Sequence, residues 1–269
     1  MLSQLTSGFV ARLRANDEAA WFELWETFGP VLRAQLSKWG QGRIGPETAR
    51  DLSQETLAAL SNSIERYDPA RGARFSTWLL AIAKHVLGDE IDRRMALKRG
   101  GGKKAGDFEE SWMVASGELP VDSVYEAAMF RSKVEHAIRL VEKECDFTEF
   151  EIYRMRVFDG IPGKDVAKQV GVSEPTVSRR LAKVRDLLRE KLRVVIHKFS
   201  FTDDELSEAE RNGLALNPNT AAQEAPAPEP GGATDKAADA MFDEAIGEIY
   251  HRQMRLRAAD ETGASSDWL

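Results

Sequence analysis

Apolar residues recur every three or four positions along most of this chain, with polar residues between them. This spacing places the apolar side chains on one face of an α-helix, so it predicts a series of amphipathic helices. Helix-forming residues also dominate over β-branched runs. The sequence therefore predicts an all-α fold.

The clearest pair of helices lies between Ile161 and Arg193. Pro162 suits the first turn of a helix, and Gly171 permits the positive φ that can end it. Ser173 can cap the next helix, because its hydroxyl can accept a backbone N–H of the following turn. The second helix carries an apolar stripe of Val177, Leu181, Val184, Leu188 and Leu192. Its basic residues fall off that stripe: Arg179, Arg180, Lys183 and Arg185.

A short helix, a glycine turn and a basic second helix predict a helix-turn-helix DNA reader. Taken alone, the segment also fits a helical hairpin with an exposed basic face. The choice between the two interpretations therefore depends on the rest of the chain.

The first half of the chain predicts further helices separated by turn-rich segments. A short helix is followed by a longer one that Asp17 can cap, and Gly29-Pro30 should bend or interrupt that longer helix. Pro46 starts the next helix, which carries polar residues on its outer face. The segment YDPARGAR, residues 67–74, then forms a turn-rich connection.

The helix after this connection has a core face and a basic end. Trp78 belongs to a stripe of aromatic and aliphatic residues, which assigns it to the core. Phe75, Ser76 and Thr77 are expected in the loop before the helix. The far end of the helix is basic and contains Lys84, Arg93, Arg94, Lys98 and Arg99.

Changes in composition divide the chain into two small helical domains, a flexible linker and a tail. Residues 1–99 form the first domain, 100–120 the linker, and 121–199 the helix-turn-helix domain. Residues 200–269 form an acidic, partly disordered extension with an Ala/Pro linker. Its last helix aligns an apolar face of Phe242, Ile246, Ile249 and Leu256. That face is expected to dock on the recognition helix, on the groove between the domains or on another protein.

Charge is unevenly distributed along the chain. The net charge is −7, but residues 200–269 carry 15 Asp and Glu against 5 Lys and Arg, and the remainder carries 29 against 32. A mildly basic body with an acidic tail is compatible with DNA binding.

The sequence argues against an enzyme, a metal site and a membrane protein. Its four histidines are scattered without metal-ligand spacing and no nucleophile lies in a recognisable elbow, so no catalysis, metal or cofactor is expected. Cys145 is the only cysteine, which excludes an internal disulfide and favours a reducing compartment. The start of the chain does not resemble a signal peptide, and no apolar run reaches about 20 residues. We therefore expect a cytoplasmic protein without membrane insertion.

Both halves together resemble the extracytoplasmic-function (ECF) sigma factors, the two-domain promoter-recognition subunits of bacterial RNA polymerase. The resemblance extends from about Ala19 to Leu192. Its motifs are DLSQE at 51–55, YDP at 67–69, FSTWLLAIAKHVLGDEIDRR at 75–94 and the helix-turn-helix segment. It implies a protein that binds core RNA polymerase and promoter DNA, reads the −35 element with the helix-turn-helix, and melts and reads the −10 element. The alternative is a stand-alone helix-turn-helix regulator, which leaves the first-half motifs unexplained.

The resemblance also implies roles for particular residues. Core polymerase would bind an outward helix face formed by Arg50, Asp51, Gln54 and Glu55. The −10 element, with one base taken out of the stack, would meet Phe75, Ser76, Thr77, Trp78, Lys84, His85, Arg93 and Arg94. The −35 element would meet Ser173, Glu174, Thr176, Val177, Ser178, Arg179, Arg180 and Lys183 in its major groove.

The chain departs from the family pattern just before the DLSQE motif, where Arg50 stands in place of a common acid. A Ser/Thr kinase acting on Thr48, Ser53 or Thr56 would restore about −1.5 to −2 charge per phosphate and could switch docking on. The alternative is that these are ordinary helix hydroxyls, since Thr56 fits the inward stripe. An anti-sigma factor is the other regulatory partner that the resemblance allows, and the acidic extension suggests added regulation.

Overall fold

The computed structural model describes residues 4–67, 74–98, 123–214, 216 and 233–261. Within these ranges the chain forms helices and turns without strands, which confirms the predicted all-α fold. The predicted linker at 100–120, most of the YDPARGAR connection and most of the Ala/Pro linker lie outside the described residues.

Most helices follow the order that the sequence predicts, but it does not predict the two short helices between residues 203 and 211. Those of the first half are α1 (Gln4–Arg14), α2 (Glu18–Trp39), α3 (Pro46–Ser63) and α4 (Phe75–Lys98), with a 3₁₀ turn at Ile64–Arg66. Those that follow are α5 (Ser123–Glu144), α6 (Phe147–Tyr153), a π-helical turn at Arg154–Phe158, α7 (Gly163–Val170), α8 (Glu174–Phe199), α9 (Asp203–Leu206), α10 (Glu208–Arg211) and α11 (Ala233–Glu261).

Contacts between these helices divide the described chain into two compact units. Unit 1 takes residues from Met1–Ser132 and Lys198–Glu205, and unit 2 takes residues from Lys133–His197 and Leu206–Leu269. The sequence instead separated the domains at the 100–120 linker and set residues 200–269 apart as a tail. The difference arises because burial groups residues regardless of chain order. Phe199 and Phe201 are buried within unit 1, whereas Phe242 and Ile246 are buried within unit 2.

The long helix α2 forms much of the core of unit 1. Asp17 caps it as predicted, and its carboxylate accepts the amides of Ala19 and Ala20 at 2.9 and 3.1 Å. The predicted interruption at Gly29-Pro30 is wrong, because α2 runs through both residues as one helix. The buried face on either side of Pro30, which includes Phe28, offsets the missing proline N–H.

Unit 2 contains the predicted helix-turn-helix, and its local signals act as expected. Pro162 directly precedes α7, and Gly171 ends that helix with a φ of 74°. At the start of α8, the Thr176 amide lies 3.4 Å from the Ser173 hydroxyl oxygen. A buried cluster of Ile152, Val166, Ala167 and Val177 joins α7, α8 and the preceding α6.

Candidate nucleic-acid interface

The outer face of α3 presents the four residues predicted to bind polymerase. Arg50, Asp51, Gln54 and Glu55 are all exposed, because positions one, four and five residues apart share one side of a helix. Leu52 and Leu60 lie on the opposite side and are buried in unit 1. The predicted outward placement of these polar residues is therefore confirmed, while their role in docking stays a prediction.

The hydroxyl groups of α3 do not suit the phosphorylation hypothesis equally. Ser53 and Thr56 are fully buried, and they donate hydrogen bonds to the carbonyl oxygens of Arg50 and Leu52 at 2.6 and 2.7 Å. A kinase cannot reach these two hydroxyls in the folded chain, so the prediction that they are phosphorylation sites is wrong. Thr48 is half-buried and remains untested.

An aromatic cluster of Tyr67, Phe75 and Trp78 lies at the start of α4. The rings of Tyr67 and Trp78 stack with centroids 4.6 Å apart, and the edge of one ring faces the other between Tyr67 and Phe75 at 5.8 Å. The assignment of Trp78 to the core is confirmed, since only 4% of it is exposed. The predicted loop is wrong: Phe75, Ser76 and Thr77 form the first turn of α4, and Phe75 and Ser76 are buried.

Polar groups surround the aromatic cluster, and sequence reasoning missed most of them. Glu126 accepts hydrogen bonds from Arg74 Nη1 and Ser76 Oγ, each at 2.8 Å, and Arg74 also pairs with Asp204. Burial raises the pKa of the Tyr125 hydroxyl well above its usual value, with the Glu126 carboxylate adding to the effect. The one local feature that could have indicated these contacts is that Arg74 directly precedes the FSTW run. The acidic partners of Arg74 lie far along the chain.

The basic end of α4 is partly engaged in ion pairs within the protein. Arg93 and Arg94 both donate to Glu90, at 2.7 and 2.6 Å, and Arg94 Nη2 also donates to Thr48 Oγ1 at 2.8 Å. The hydrogen bond from Arg93, together with that from Arg94, lowers the pKa of the Glu90 carboxyl. Arg94 therefore links α4 to α3, and the more exposed Arg93 and Lys84 are better placed to meet a phosphate.

His85 is half-buried between these basic residues and the aromatic cluster. Its Nε2 atom lies 3.3 Å from Asp89 Oδ2, one helical turn further along α4. His85 is less exposed than Lys84, so it contributes less accessible surface.

The predicted −35 residues separate into an exposed set and a buried one. Ser173, Glu174, Ser178, Arg179 and Lys183 are exposed, and Thr176 and Arg180 are half-buried. Val177 is a correction: it is 2% exposed and belongs to the buried cluster of the helix-turn-helix, so its side chain offers no surface to DNA. The face that remains begins at the N-terminus of α8, where a recognition helix presents its base-reading side chains.

Two contacts restrain the exposed side chains of this face. Arg179 Nη2 lies 3.4 Å from Thr176 Oγ1, and Lys183 Nζ lies 2.8 Å from the Glu149 carboxylate. The hydrogen bond to Glu149 raises the pKa of Lys183, which keeps the side chain charged. Exposed ion pairs of this kind contribute little to stability.

Arg185 differs from the prediction that it lies on the exposed basic face of α8. It is buried beneath α11, where Asp239 and Asp243 accept its hydrogen bonds at 2.7 and 2.6 Å, and Asp239 also pairs with Arg189 at 2.8 Å. Burial opposes ionisation of Arg185, but the hydrogen bonds that it donates to Asp243 and the charges of the nearby carboxylates raise its pKa overall.

The apolar face of α11 docks within unit 2, as the sequence predicted without choosing a partner. Phe242 and Ile246 are fully buried, Ile249 is half-buried, and the side chain of Leu256 lies outside the described residues. The ring of Tyr250 stacks on Phe158 with centroids 3.8 Å apart. Since Ser178 and Arg179 remain exposed, α11 leaves the beginning of the recognition helix accessible.

Nothing among the described residues forms a cluster of three or more His, Cys, Asp or Glu side chains able to hold a metal ion. In the same part of the chain, no helix is both long and apolar enough to cross a membrane.

Comparison with known proteins identifies related sequences. Residues 24–96 match the family model described as Sigma-70 region 2. The chain is 30% identical over 141 residues to two curated proteins, over 52% of its own length and 68% of theirs. One is the probable RNA polymerase sigma-C factor of Mycobacterium bovis, and the other is the ECF RNA polymerase sigma factor SigC of Mycobacterium tuberculosis.

Proposed function

Because this chain belongs to the ECF family of RNA polymerase sigma factors, we propose that it docks on core polymerase through α3 and reads promoters with α4 and α8. Its role as a sigma factor in transcription initiation follows from the family, as do core polymerase and promoter DNA as partners. The assignment of each surface to one partner is the finer part of the proposal. A sigma factor works where the polymerase is, so we place the protein in the cytoplasm.

One observation carries the docking assignment. The segment that matches Sigma-70 region 2 contains α3, and four polar residues of α3 form an exposed row on its outer face. A stand-alone regulator would need only the helix-turn-helix, and the region 2 match would then have no explanation.

The assignment of the −35 element to α8 rests on exposure and charge. The first turns of α8 present hydroxyl groups and the guanidinium of Arg179 to solvent, and the buried cluster of the motif packs this helix on α7. In the major groove, an arginine side chain commonly binds guanine, and a Ser or Thr hydroxyl can bind the edge of a purine or a pyrimidine. Lys183 and Arg180 lie further along and would contact phosphate.

The −10 element is assigned to the start and outer side of α4. Lys84 and Arg93 can follow a DNA backbone, and the rings of the aromatic cluster, which are buried in the free chain, would stack on a base once they are uncovered. Cationic grooves with aromatic rings bind single-stranded nucleic acid without needing a duplex groove. Residues 75–94 lie within the matched region 2 segment, which supports this division of labour.

The test is binding to purified core polymerase followed by run-off transcription on a promoter library. Glu55→Ala should weaken core binding by about fivefold or more, since interface residues that matter cost at least about 1 kcal/mol when truncated. Glu47→Ala, an exposed carboxylate two turns earlier on α3, is the matched control. A wild-type protein that binds operator-like duplex DNA but never binds core polymerase would refute the proposal and favour the regulator.

A further inference from the structure

The segment Phe201–Glu205 lies on the aromatic cluster of α4. The Phe201 ring stacks almost parallel on Phe75, with centroids 4.7 Å apart and an angle of 18°, and its edge meets Tyr67 at 5.6 Å. Phe201 comes from the extension and lies outside the matched segment 24–96, whereas Tyr67, Phe75 and Trp78 lie inside it. A ring from outside the promoter-reading domain therefore occupies the stacking position on Phe75.

The polar groups beside the aromatic cluster are also bound by other residues of the chain. The guanidinium of Arg74 pairs with the carboxylates of Glu126 and Asp204, and the Ser76 hydroxyl donates to Glu126. A flat ring stacked on an aromatic side chain and a carboxylate bound to an adjacent arginine reproduce what a nucleotide offers, namely a base and a phosphate. The segment thus has the chemistry of the ligand that this surface is proposed to bind.

Internal hydrogen bonds shape the segment so that it can present these groups. The carboxylate of Glu205 accepts the amides of Phe201 and Thr202 at 2.8 and 3.0 Å, and Thr202 Oγ1 lies 3.3 Å from the Glu205 amide. This reciprocal pattern is a capping box at the start of α9. The hydrogen bonds that shape the turn are therefore internal to the segment and do not involve Phe75.

A separate anchor holds the segment near the cluster. Phe199 packs edge-on against Phe9 and Phe28, and Thr6 donates a hydrogen bond to the Ser200 carbonyl at 3.1 Å. The anchor precedes the stacked ring by one or two residues, so Phe201 could leave Phe75 while Phe199 stays in place. A tethered group of this kind has a high local concentration, which makes it an effective competitor.

From these contacts we propose that Phe201–Glu205 is an intramolecular cover that stands in for a nucleotide and must leave before single-stranded −10 DNA binds. The proposal rests on the assignment of the −10 element to α4. It predicts that weakening the cover raises promoter opening without changing affinity for core polymerase, because α3 lies elsewhere on unit 1.

The first experiment uses the full chain with Asp204→Asn, which keeps the shape of the side chain and weakens the pair with Arg74. Run-off transcription and core binding are measured beside wild type and the control Glu210→Gln, an exposed carboxylate of the same extension. Asp204 is half exposed, so we expect about a twofold to fivefold rise in transcript for Asp204→Asn alone, at equal core affinity. Truncation after Lys198 is a poor test, because it also removes the buried Phe199.

Phe201→Ala is the second variant, and it separates a cover from a packing element. A cover predicts more transcript than Asp204→Asn, even where thermal stability falls somewhat. If both variants lower transcript and melting temperature together, Phe201 is ordinary core and the proposal is overturned. The proposal is also overturned if wild type binds core polymerase and transcribes but neither variant produces more transcript than wild type. Failure of wild type to bind core polymerase would refute the proposed function itself, and the cover with it.

Hydrogen exchange provides a readout that needs no variant. The amides of Phe201 and Thr202 are hydrogen-bonded to Glu205 and should exchange slowly in the free protein. They should exchange faster in the open complex with core polymerase and promoter, while the backbone amides of α1, the helix that carries Thr6, stay protected. Amides that remain equally protected in a transcriptionally active open complex would contradict the cover.

Discussion

Arg185 and Asp243 are joined by two hydrogen bonds, from Nε and Nη2 of the guanidinium to the two carboxylate oxygens, at 3.0 and 2.6 Å. The Tyr153 hydroxyl donates to the same carboxylate at 3.1 Å. These contacts lie beside the buried ring of Phe242, so the last helix of the chain is part of the folded helix-turn-helix unit. The acidic charge of α11 neutralises the rear of α8 and leaves its first turns open.

Replacing Asp243 with Asn should destabilise unit 2 strongly. Arg185 would remain buried without its main counter-charge, and removing one partner of a buried ion pair costs about 3–5 kcal/mol. We expect a loss of about 3 kcal/mol in the free energy of unfolding, because Asp239 still pairs with Arg185. Urea unfolding measures the change, with the exposed Glu248→Gln on α11 as control. If the Asp243→Asn and Glu248→Gln variants were equally stable, the hydrogen bonds between Arg185 and Asp243 would not hold α11 in place.

Replacing Arg179 with Ala should weaken transcription from −35-dependent promoters. If Arg179 reads a base, the loss is about 1–3 kcal/mol and the preference at a single −35 position relaxes. Selection from a promoter library shows the change, with Arg252→Ala, an exposed arginine of α11, as control. A uniform loss across all promoters would indicate a phosphate contact instead, and no loss at all would contradict the docking of α8.

Stability should depend on pH through Glu90. Its pKa is lowered in the folded protein by the hydrogen bond from Arg93 and by that from Arg94. A carboxyl of this kind contributes stability above the pKa of a free Glu, about 4.3, and the contribution disappears as pH falls through the lower folded-state pKa. Glu90→Gln should therefore be less stable than wild type at pH 7, and the difference should shrink below about pH 4. Denaturant unfolding from pH 3 to 7 tests this. If the difference in unfolding free energy between the variant and wild type stays constant over this range, the ion pairs of Glu90 are not its cause.

Charge introduced on α3 should act differently at its two hydroxyl positions. Ser53 is fully buried, so Ser53→Glu places a carboxylate in the core and should lower the melting temperature sharply. Thr48 is half-buried at the start of the helix, where a negative charge is favourable, and Thr48→Glu should fold normally. Circular dichroism and core-polymerase binding separate stability from docking. A stable, active Ser53→Glu protein would reopen Ser53 as a modification site.

The sequence by itself determined the helices and the local signals that bound them. Asp17 and Gly171 act through hydrogen bonds and dihedral angles within a few residues, so their effects can be predicted from neighbours alone. The outward row of α3 follows from helical periodicity, and the family motifs identified the protein class. These properties depend on short sequence separations or on the order of the motifs.

Only the tertiary structure decided which polar and aromatic groups meet across long separations. Periodicity marks Arg185 as off the apolar stripe, yet the docked α11 buries it against Asp239 and Asp243. In the same way, nothing local to Phe75 indicates that Phe201 will stack on it. The reason is that a helical period reports which face is apolar, while the partner that covers a face is chosen by the packing of the whole unit.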